Sequence, residues 1–141
     1  MTITDIERSL FKVLYDAFEV PHGIKIFDSV YYVDFETYEK WVVIDTLSSS
    51  AGPIPRDNFA LHISTKKGLR NEKYILSRLV DSVAGLFAPL QRFDVYDDQT
   101  GLLKGDMEVC AATLLPLMQH GGGGSFRTLQ IGLVYAGEVV G

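Results

Sequence analysis

At 141 residues the chain has the length of one ordinary domain, which can bury about two-thirds of its unfolded surface. Its composition, with 47% hydrophobic and 22% charged residues, is that of a globular protein and excludes a disordered chain. The net charge of -5 argues against nucleic-acid binding by the whole surface, because phosphate contacts need clustered Lys and Arg. No apolar run approaches the ~18 residues of a membrane helix, and residues 1–8 do not resemble a signal peptide, so we expect neither feature.

The first part of the chain predicts one helix followed by strands. Thr4 and Glu7 have the spacing of a capping box, and apolar residues at helical spacing then predict a helix over 4–18. Pro21 and Gly23 are expected to end this helix. Strands are predicted where β-branched and aromatic residues concentrate or alternate with polar ones, over 24–35, 41–47 and 59–64.

The remainder predicts a loop, a second helix and a returning sheet. Residues 48–57 are rich in turn formers and predict a long exposed loop. Asn71 can cap a second helix whose apolar stripe reaches Phe87 and which Pro89 terminates. Further strands are predicted over 92–96, 106–118 and 128–135, separated by a turn at 97–101 and a loop at 119–125. The pattern predicts a single α+β domain over 1–141, with a mixed, mainly antiparallel sheet packed against two main helices.

No pattern in the chain is typical of a catalytic, cofactor-binding or metal-binding site. The run 120–125 superficially resembles the glycine-rich oxyanion loop of esterases, but Ser125 stands in no Gly-x-Ser-x-Gly elbow, which favours a flexible hairpin loop. Four aspartates lack the glycine and closing glutamate of a calcium loop and favour a solvated turn: Asp94, Asp97, Asp98 and Asp106. Three histidines stand without a second ligand at metal-binding spacing: His22, His62 and His120. Cys110 lies in an apolar run and is expected to be a small buried hydrophobe.

The densest group of basic side chains falls on the connection into the second helix: Lys66, Lys67, Arg70 and Lys73. A run of like charges is commonly a solvated loop. The functional alternative is a contact with an acidic neighbouring subunit or with a phosphate backbone, because loops on a rigid scaffold often carry binding residues. The sequence leaves both interpretations open. Without a catalytic pattern, we expect a protein that acts by binding and assembly and is not an enzyme.

Three stretches carry a resemblance to a known family: WVVIDTLSSSAGPIPRDNFALHIST, KKGLRNEKYILSRLVDSVAGLF and FRTLQIGLVYAGEV. They cover about half of the chain and predict a strand with a long exposed loop, a strand leading into an amphipathic helix, and a closing hairpin. With the amino-terminal helix, this arrangement resembles the tail terminator, or tail completion, proteins of long-tailed bacteriophages. The four-glycine loop is not a feature that we associate with that family.

The resemblance implies a structural virion protein, a subunit of a hexameric ring that caps the tail tube, ends its polymerisation and joins the tail to the head or neck. Its partners would be further copies of itself, the tail tube protein and a head-completion or neck protein, with genomic DNA passing through the lumen without sequence-specific binding. No cofactor, catalytic residue or membrane is implied, and the location would be the virion, after assembly in the host cytoplasm. Eight residues are expected to make assembly contacts: Arg56, Asp57, Lys66, Lys67, Arg70, His120, Ser125 and Arg127.

Three alternatives stay open. A neck or head-completion subunit belongs to the same biology and cannot be separated from a terminator by sequence. A small-ligand-binding module could use Trp41 and the tyrosines to line a pocket. An enzyme could have catalytic groups that converge only in space.

Overall fold

Helices and strands account for most of the computed structural model, which describes residues 2–28, 37–50, 56–119 and 124–138. The helices are α1 (Ile3–Leu14), α2 (Val20–His22) and α3 (Glu72–Leu86), and a π-helical turn, Tyr15–Glu19, joins the first two. The strands are β1 (Lys25–Phe27), β2 (Lys40–Ser50), β3 (Arg56–Thr65), β4 (Arg92–Tyr96), β5 (Leu103–Leu114), β6 (Met118–Gln119) and β7 (Ser125–Glu138).

The strands form one curled mixed sheet in the order β1-β2-β3-β7-β5-β4, with the short β6 also paired to β7. β1 and β2 run parallel, and the other pairs are antiparallel. In the centre of the sheet Leu61 of β3 lies opposite Leu129 of β7. The prediction of one α+β domain with a mixed, mainly antiparallel sheet and two main helices is confirmed.

One apolar core lies between the sheet and the two long helices. β3 and β7 contribute alternate residues because successive side chains of a strand point to opposite faces, whereas α1 and α3 contribute residues three and four apart. The central core residues are Ile6, Leu10, Leu14, Phe59, Leu61, Ile63, Leu76, Leu79, Val83, Leu129, Ile131 and Leu133. Full burial of each such side chain stabilises the fold by roughly 1.5–3 kcal/mol. Each helix therefore packs on the sheet through its apolar stripe.

The first helix begins and ends differently from its prediction. Its capping box is formed by Thr2 and Asp5, not by Thr4 and Glu7: the Asp5 amide donates to Thr2 Oγ1 at 3.2 Å and the Thr2 amide to Asp5 Oδ2 at 2.9 Å. The predicted end at Pro21 is also wrong, because Pro21 lies within α2, which continues directly from the π-helical turn. The helical path ends at Gly23, whose φ of 66° is left-handed.

The predicted loop over 48–57 is strand at 48–50 and 56–57, and residues 51–55 lie outside the described part of the chain. β2 continues to Ser50 and β3 begins at Arg56, so that Ser48 pairs with Asn58. The side-chain Nδ2 of Asn58 donates to Ser48 Oγ at 3.2 Å. Pairing with a neighbouring strand satisfies the backbone here, although the side chains have little apolar surface to bury. A register shift between Thr46 and Ser48 marks a bulge that no residue pattern announced. The predicted strand residues 30–35 lie outside the described part of the chain.

The second helix and the strands that follow agree more closely with the sequence. Asn71 stands at the N-cap, but its φ is 61° and its side chain makes no capping bond, so the predicted capping interaction is wrong. β4 and the turn after it are confirmed, and β7 returns antiparallel to β5. The strand predicted over 106–118 starts earlier, at Leu103, and ends at Leu114, two residues before Pro116.

Two residues lie in environments other than those expected. Cys110 is exposed and not buried, because it points to the face of the sheet opposite the helices, where its thiol donates to the Gly132 carbonyl at 3.3 Å. Trp41, which the ligand-binding alternative places on a pocket wall, is fully buried.

Candidate assembly surface

The turn between β3 and α3 carries the densest group of basic side chains, and its backbone is held in a defined shape. The Lys66 amide donates to the Glu39 carbonyl at 2.8 Å, which fixes the start of the turn against β2. Gly68 and Asn71 both have left-handed φ values, 82° and 61°, so the chain reverses sharply before α3. The basic side chains are therefore displayed by a shaped turn rather than by an unconstrained loop.

We call this surface the basic corner and define it by Lys66, Lys67, Arg70 and Lys73. Residues 66–78 contain five basic side chains and one acidic side chain, a net charge of +4 within a chain of net charge -5. Lys67, Arg70 and Lys73 are exposed, and none has an ion pair within the described ranges of the chain. The amino-terminal end of the α3 dipole adds positive potential at the same place.

Glu72 is the one acidic residue of 66–78, and its side chain makes a hydrogen bond within the molecule. Its Oε1 accepts a hydrogen bond from the Ser125 amide at 3.2 Å, which ties the start of α3 to the start of β7. Ser125 is itself only 5% exposed, and its carbonyl accepts from Thr65 Oγ1 at 3.5 Å. The structure therefore places Ser125 beside the basic corner as a buried support for it.

The structure explains why one of the four consecutive glycines, Gly124, has to be glycine. A Cβ atom at residue 124 would collide with the Thr65 carbonyl oxygen and lie 2.6 Å from the Lys66 carbonyl carbon, both of them backbone atoms. Only glycine allows the two chain segments to approach this closely. Residues 120–123, including His120, lie outside the described part of the chain.

The other residues expected to make assembly contacts do not share one surface. Arg127 is near the basic corner but half-buried, and its Nε donates to the Leu115 carbonyl at 3.0 Å. Arg56 and Asp57 lie at the opposite end of β3, whose ten residues span roughly 30 Å. Arg56 Nε donates to Asn58 Oδ1 at 2.8 Å. The structure thus brings Lys66, Lys67, Arg70, Ser125 and Arg127 together and separates them from Arg56 and Asp57.

A groove of about 460 Å³ adjoins the basic corner, between α2, α3 and the start of β2. Its polar lining residues are His22, Lys40, Tyr74, Arg78 and Ser82. The Arg78 guanidinium lies 5.8 Å from the centre of the Tyr74 ring, and its Nη1 donates to the phenol oxygen at 3.4 Å. No acidic side chain lines the groove among the described residues, so it favours a negatively charged group.

Acidic side chains gather at the other end of the molecule, around the turn that the sequence predicts to be solvated. Residues 92–108 contain five acidic and two basic side chains, a net charge of -3. Asp5 joins this region from α1: its buried carboxylate accepts from Lys104 Nζ at 2.9 Å and from the Asp98 amide at 3.0 Å. Only the tertiary structure shows that the amino terminus of α1 belongs to this cluster.

The carboxylates of Asp5, Asp97 and Asp98 lie close enough together to hold a metal ion, but Lys104 already pairs with two of them. Its ammonium group lies 2.9 Å from Asp5 Oδ2 and 3.0 Å from Asp97 Oδ2. Burial alone would raise the pKa of Asp5, but hydrogen bonds from Thr2, Lys104 and Asp98 outweigh it and hold that pKa well below its usual value. Asp5, Asp97 and Lys104 therefore form a structural network joined by ion pairs and hydrogen bonds.

Three polar side chains on neighbouring strands, Asp45, His62 and Thr128, lie in a line on the face of the sheet away from the helices. His62 Nδ1 lies 2.8 Å from Thr128 Oγ1, and His62 Nε2 lies 3.5 Å from Asp45 Oδ2. The order of groups resembles that of a catalytic triad, but Thr128 is buried near the start of β7, where its backbone pairs with β3 and accepts from the Leu115 amide. The geometry supports a cross-strand hydrogen bond.

The chain matches no protein-family model, and none of the curated proteins gives a significant match to its sequence. Within the described residues, no helix has both the length and the apolar character needed to cross a membrane.

Proposed function

We propose that the protein is a structural virion subunit that assembles into a ring, caps the tail tube of a long-tailed phage, ends its polymerisation and joins the tail to the head or neck. The observation that supports the proposal is the basic corner. Three of its cations have no internal ion pair in the described chain, and the turn that carries them is held in shape by Glu39 and Gly124. A fixed cationic surface suits contact with an acidic partner surface, where complementary charge sets register and specificity.

The proposed ring is a hexamer whose partners are the tail tube protein and a head-completion or neck protein. Ring closure needs the same two surfaces on every subunit and no active site. The net charge of -5 supports passage of DNA through the lumen, because an acidic lining repels phosphate and lets the duplex slide. Strong binding of DNA by the assembled ring at low salt would contradict that part of the proposal.

The experiment is native mass spectrometry with negative-stain imaging of the protein alone and mixed with tail tubes. Rings of about six subunits, or caps on tube ends, are expected. The double variant Lys67→Glu/Arg70→Glu should weaken ring formation or tail joining while the circular dichroism spectrum of the fold stays unchanged. Lys67→Arg/Arg70→Lys is the matched control, because it changes the same two exposed side chains, keeps both charges and should retain assembly.

The groove beside the basic corner supports a second candidate, an anion-binding module. Lys40, Arg78 and Tyr74 would hold an anionic ligand there, since two cations and a phenol face one open volume of about 460 Å³. A protein that stays monomeric and ignores tail tubes, but binds inorganic phosphate in calorimetry, would favour this candidate. Arg78→Ala should then remove the binding.

A further inference from the structure

The basic corner and the acidic residues of the β4–β5 region lie at diagonally opposite corners of the sheet. We define the acidic corner by Asp94, Asp97, Asp98 and Asp106. β7 shows the separation, because Phe126 pairs with Ser64 next to the basic corner, whereas Gly137, eleven residues later, pairs with Asp106. Eleven residues of strand span roughly 35 Å. Across the sheet, β7 and β5 stand between β3 and β4, which adds roughly 14 Å.

This distance prevents the two corners from neutralising each other within one molecule. It exceeds the Debye length, about 8 Å at physiological ionic strength, so their charges are screened from one another in a monomer. Within the described chain, Lys67, Arg70 and Lys73 of the basic corner and Asp94 and Asp98 of the acidic corner have no ion pair and face solvent or another molecule. Two surfaces of opposite sign at different places on one chain are what a head-to-tail contact between identical subunits requires.

The acidic corner contains an unfavourable pair that an incoming cation would relieve. Asp94 on the edge strand β4 lies directly opposite Asp106 on β5. Like charges directly opposite each other across an antiparallel pair are destabilising. Arg92 lies within 3.8 Å of Asp106 and 3.1 Å of Glu108, so its charge is already shared between those two carboxylates. The exposed carboxylates of Asp94 and Asp98 have no ion pair within the described chain.

We infer that the acidic corner of one subunit docks on the basic corner of the next copy of this chain. Lys67 and Arg70 of one copy would face Asp94 and Asp98 of its neighbour, and repetition of this contact closes the ring. The inference rests on the proposed ring and assigns the surfaces that build it. The partner is a second copy because this chain itself carries both complementary charges, one on each corner. The contact is ionic and weakens as salt screens it.

Self-association is measured first without tail tubes, by native mass spectrometry and sedimentation, for four proteins: wild type, Lys67→Glu/Arg70→Glu, Asp94→Lys/Asp98→Lys, and the combination of all four substitutions. Wild type is expected to form oligomers of more than two subunits. Each double variant should lose them, and the quadruple variant should regain them, because it exchanges the charges of both corners. Circular dichroism verifies folding, and the neutral variants Lys67→Gln/Arg70→Gln and Asp94→Asn/Asp98→Asn replace any charge-reversed protein that fails to fold.

The outcomes separate the docking inference from the proposed function. Loss in both double variants with recovery in the quadruple variant supports the docking. Oligomers that persist in the double variants, no recovery in the quadruple variant, a wild type that ends at a dimer, or a wild type that stays monomeric would each overturn it. If the double variants lose the rings and the quadruple variant regains them, but the rings never bind tail tubes, the tail-capping function is overturned and the docking inference stands.

Discussion

Asp5 and Lys104, 99 residues apart in the sequence, form an ion pair of 2.9 Å that joins the amino terminus of α1 to β5. Asp5 is also the residue that closes the capping box with Thr2. One buried carboxylate thus satisfies the first turn of the helix and anchors that turn to the acidic corner. The start of α1 is fixed by tertiary contacts as well as by its own capping residues.

We expect Asp5→Asn to destabilise the fold, because the amide cannot accept from the Thr2 amide, the Asp98 amide and the Lys104 ammonium as a carboxylate does. Hydrogen bonds to a charged group contribute about 1.5–3 kcal/mol, and water offsets part of the loss because Thr2 and Asp98 are exposed. Thermal and denaturant unfolding measure the effect. Asp16→Asn is the matched control, since its 2.7 Å pair with Lys12 is more than half exposed on both sides and should contribute little. Equal losses in the two variants would contradict the anchoring role of Asp5.

The stability of the protein should fall in acid. Hydrogen bonds from Thr100, Lys104 and Gln99 lower the pKa of Asp97 from 3.8 to about 2, and the pKa of Asp5 is lowered as well. A carboxyl whose pKa is lower in the folded state stabilises the fold above its unfolded pKa, and that contribution is lost as pH falls through the folded pKa. Denaturant midpoints should therefore drop between about pH 4 and pH 2. The double variant Asp5→Asn/Asp97→Asn should lose less stability over that interval, and an equal loss would contradict the assignment.

Gly124→Ala should destabilise the junction of β7 with the basic corner. The added methyl group meets the Thr65 carbonyl oxygen and the Lys66 carbonyl carbon, which cannot move without shifting β3. Overpacking of this kind costs roughly 1–3 kcal/mol. Gly132→Ala is the control, because the atoms that its Cβ would meet belong to the flexible Arg56 side chain, which can swing away. Thermal unfolding should rank Gly124→Ala well below Gly132→Ala, and the reverse order would contradict the steric role of Gly124.

Asp94→Asn should leave the monomer more stable than wild type. The substitution removes one member of the like-charge pair with Asp106 and nearly preserves the shape of the side chain. Cross-strand pairs contribute about 0.2–1 kcal/mol, so the gain should be of that order. Because salt screens the repulsion, the difference in melting temperature from wild type should shrink at high salt. A loss of stability at low salt would show that Asp94 makes a favourable contact within the subunit.

Helices and strands could be predicted where one of their faces is buried. Apolar residues then recur in the sequence every two residues in a strand, or about every 3.6 residues in a helix. Leu61 and Ile63 in β3, and Leu76, Leu79 and Val83 in α3, all point into the core as their spacing indicates. The ends of the elements were harder to predict. Ser48 and Asn58 have no apolar surface to signal a strand, and only their pairing with each other extends β2 and β3.

The sequence by itself determined that this is one α+β domain, and it located the basic residues Lys66, Lys67 and Arg70 on a turn before an amphipathic helix. Strand order and register decided the rest. They place β4 at one edge of the sheet, with β1 and β2 at the other. Asp94 and Asp106 therefore lie at the corner diagonally opposite that turn, and Asp5 lies beside Lys104. Pairing between distant strands follows from how all the apolar faces close on one core, a property of the whole chain that no local pattern contains.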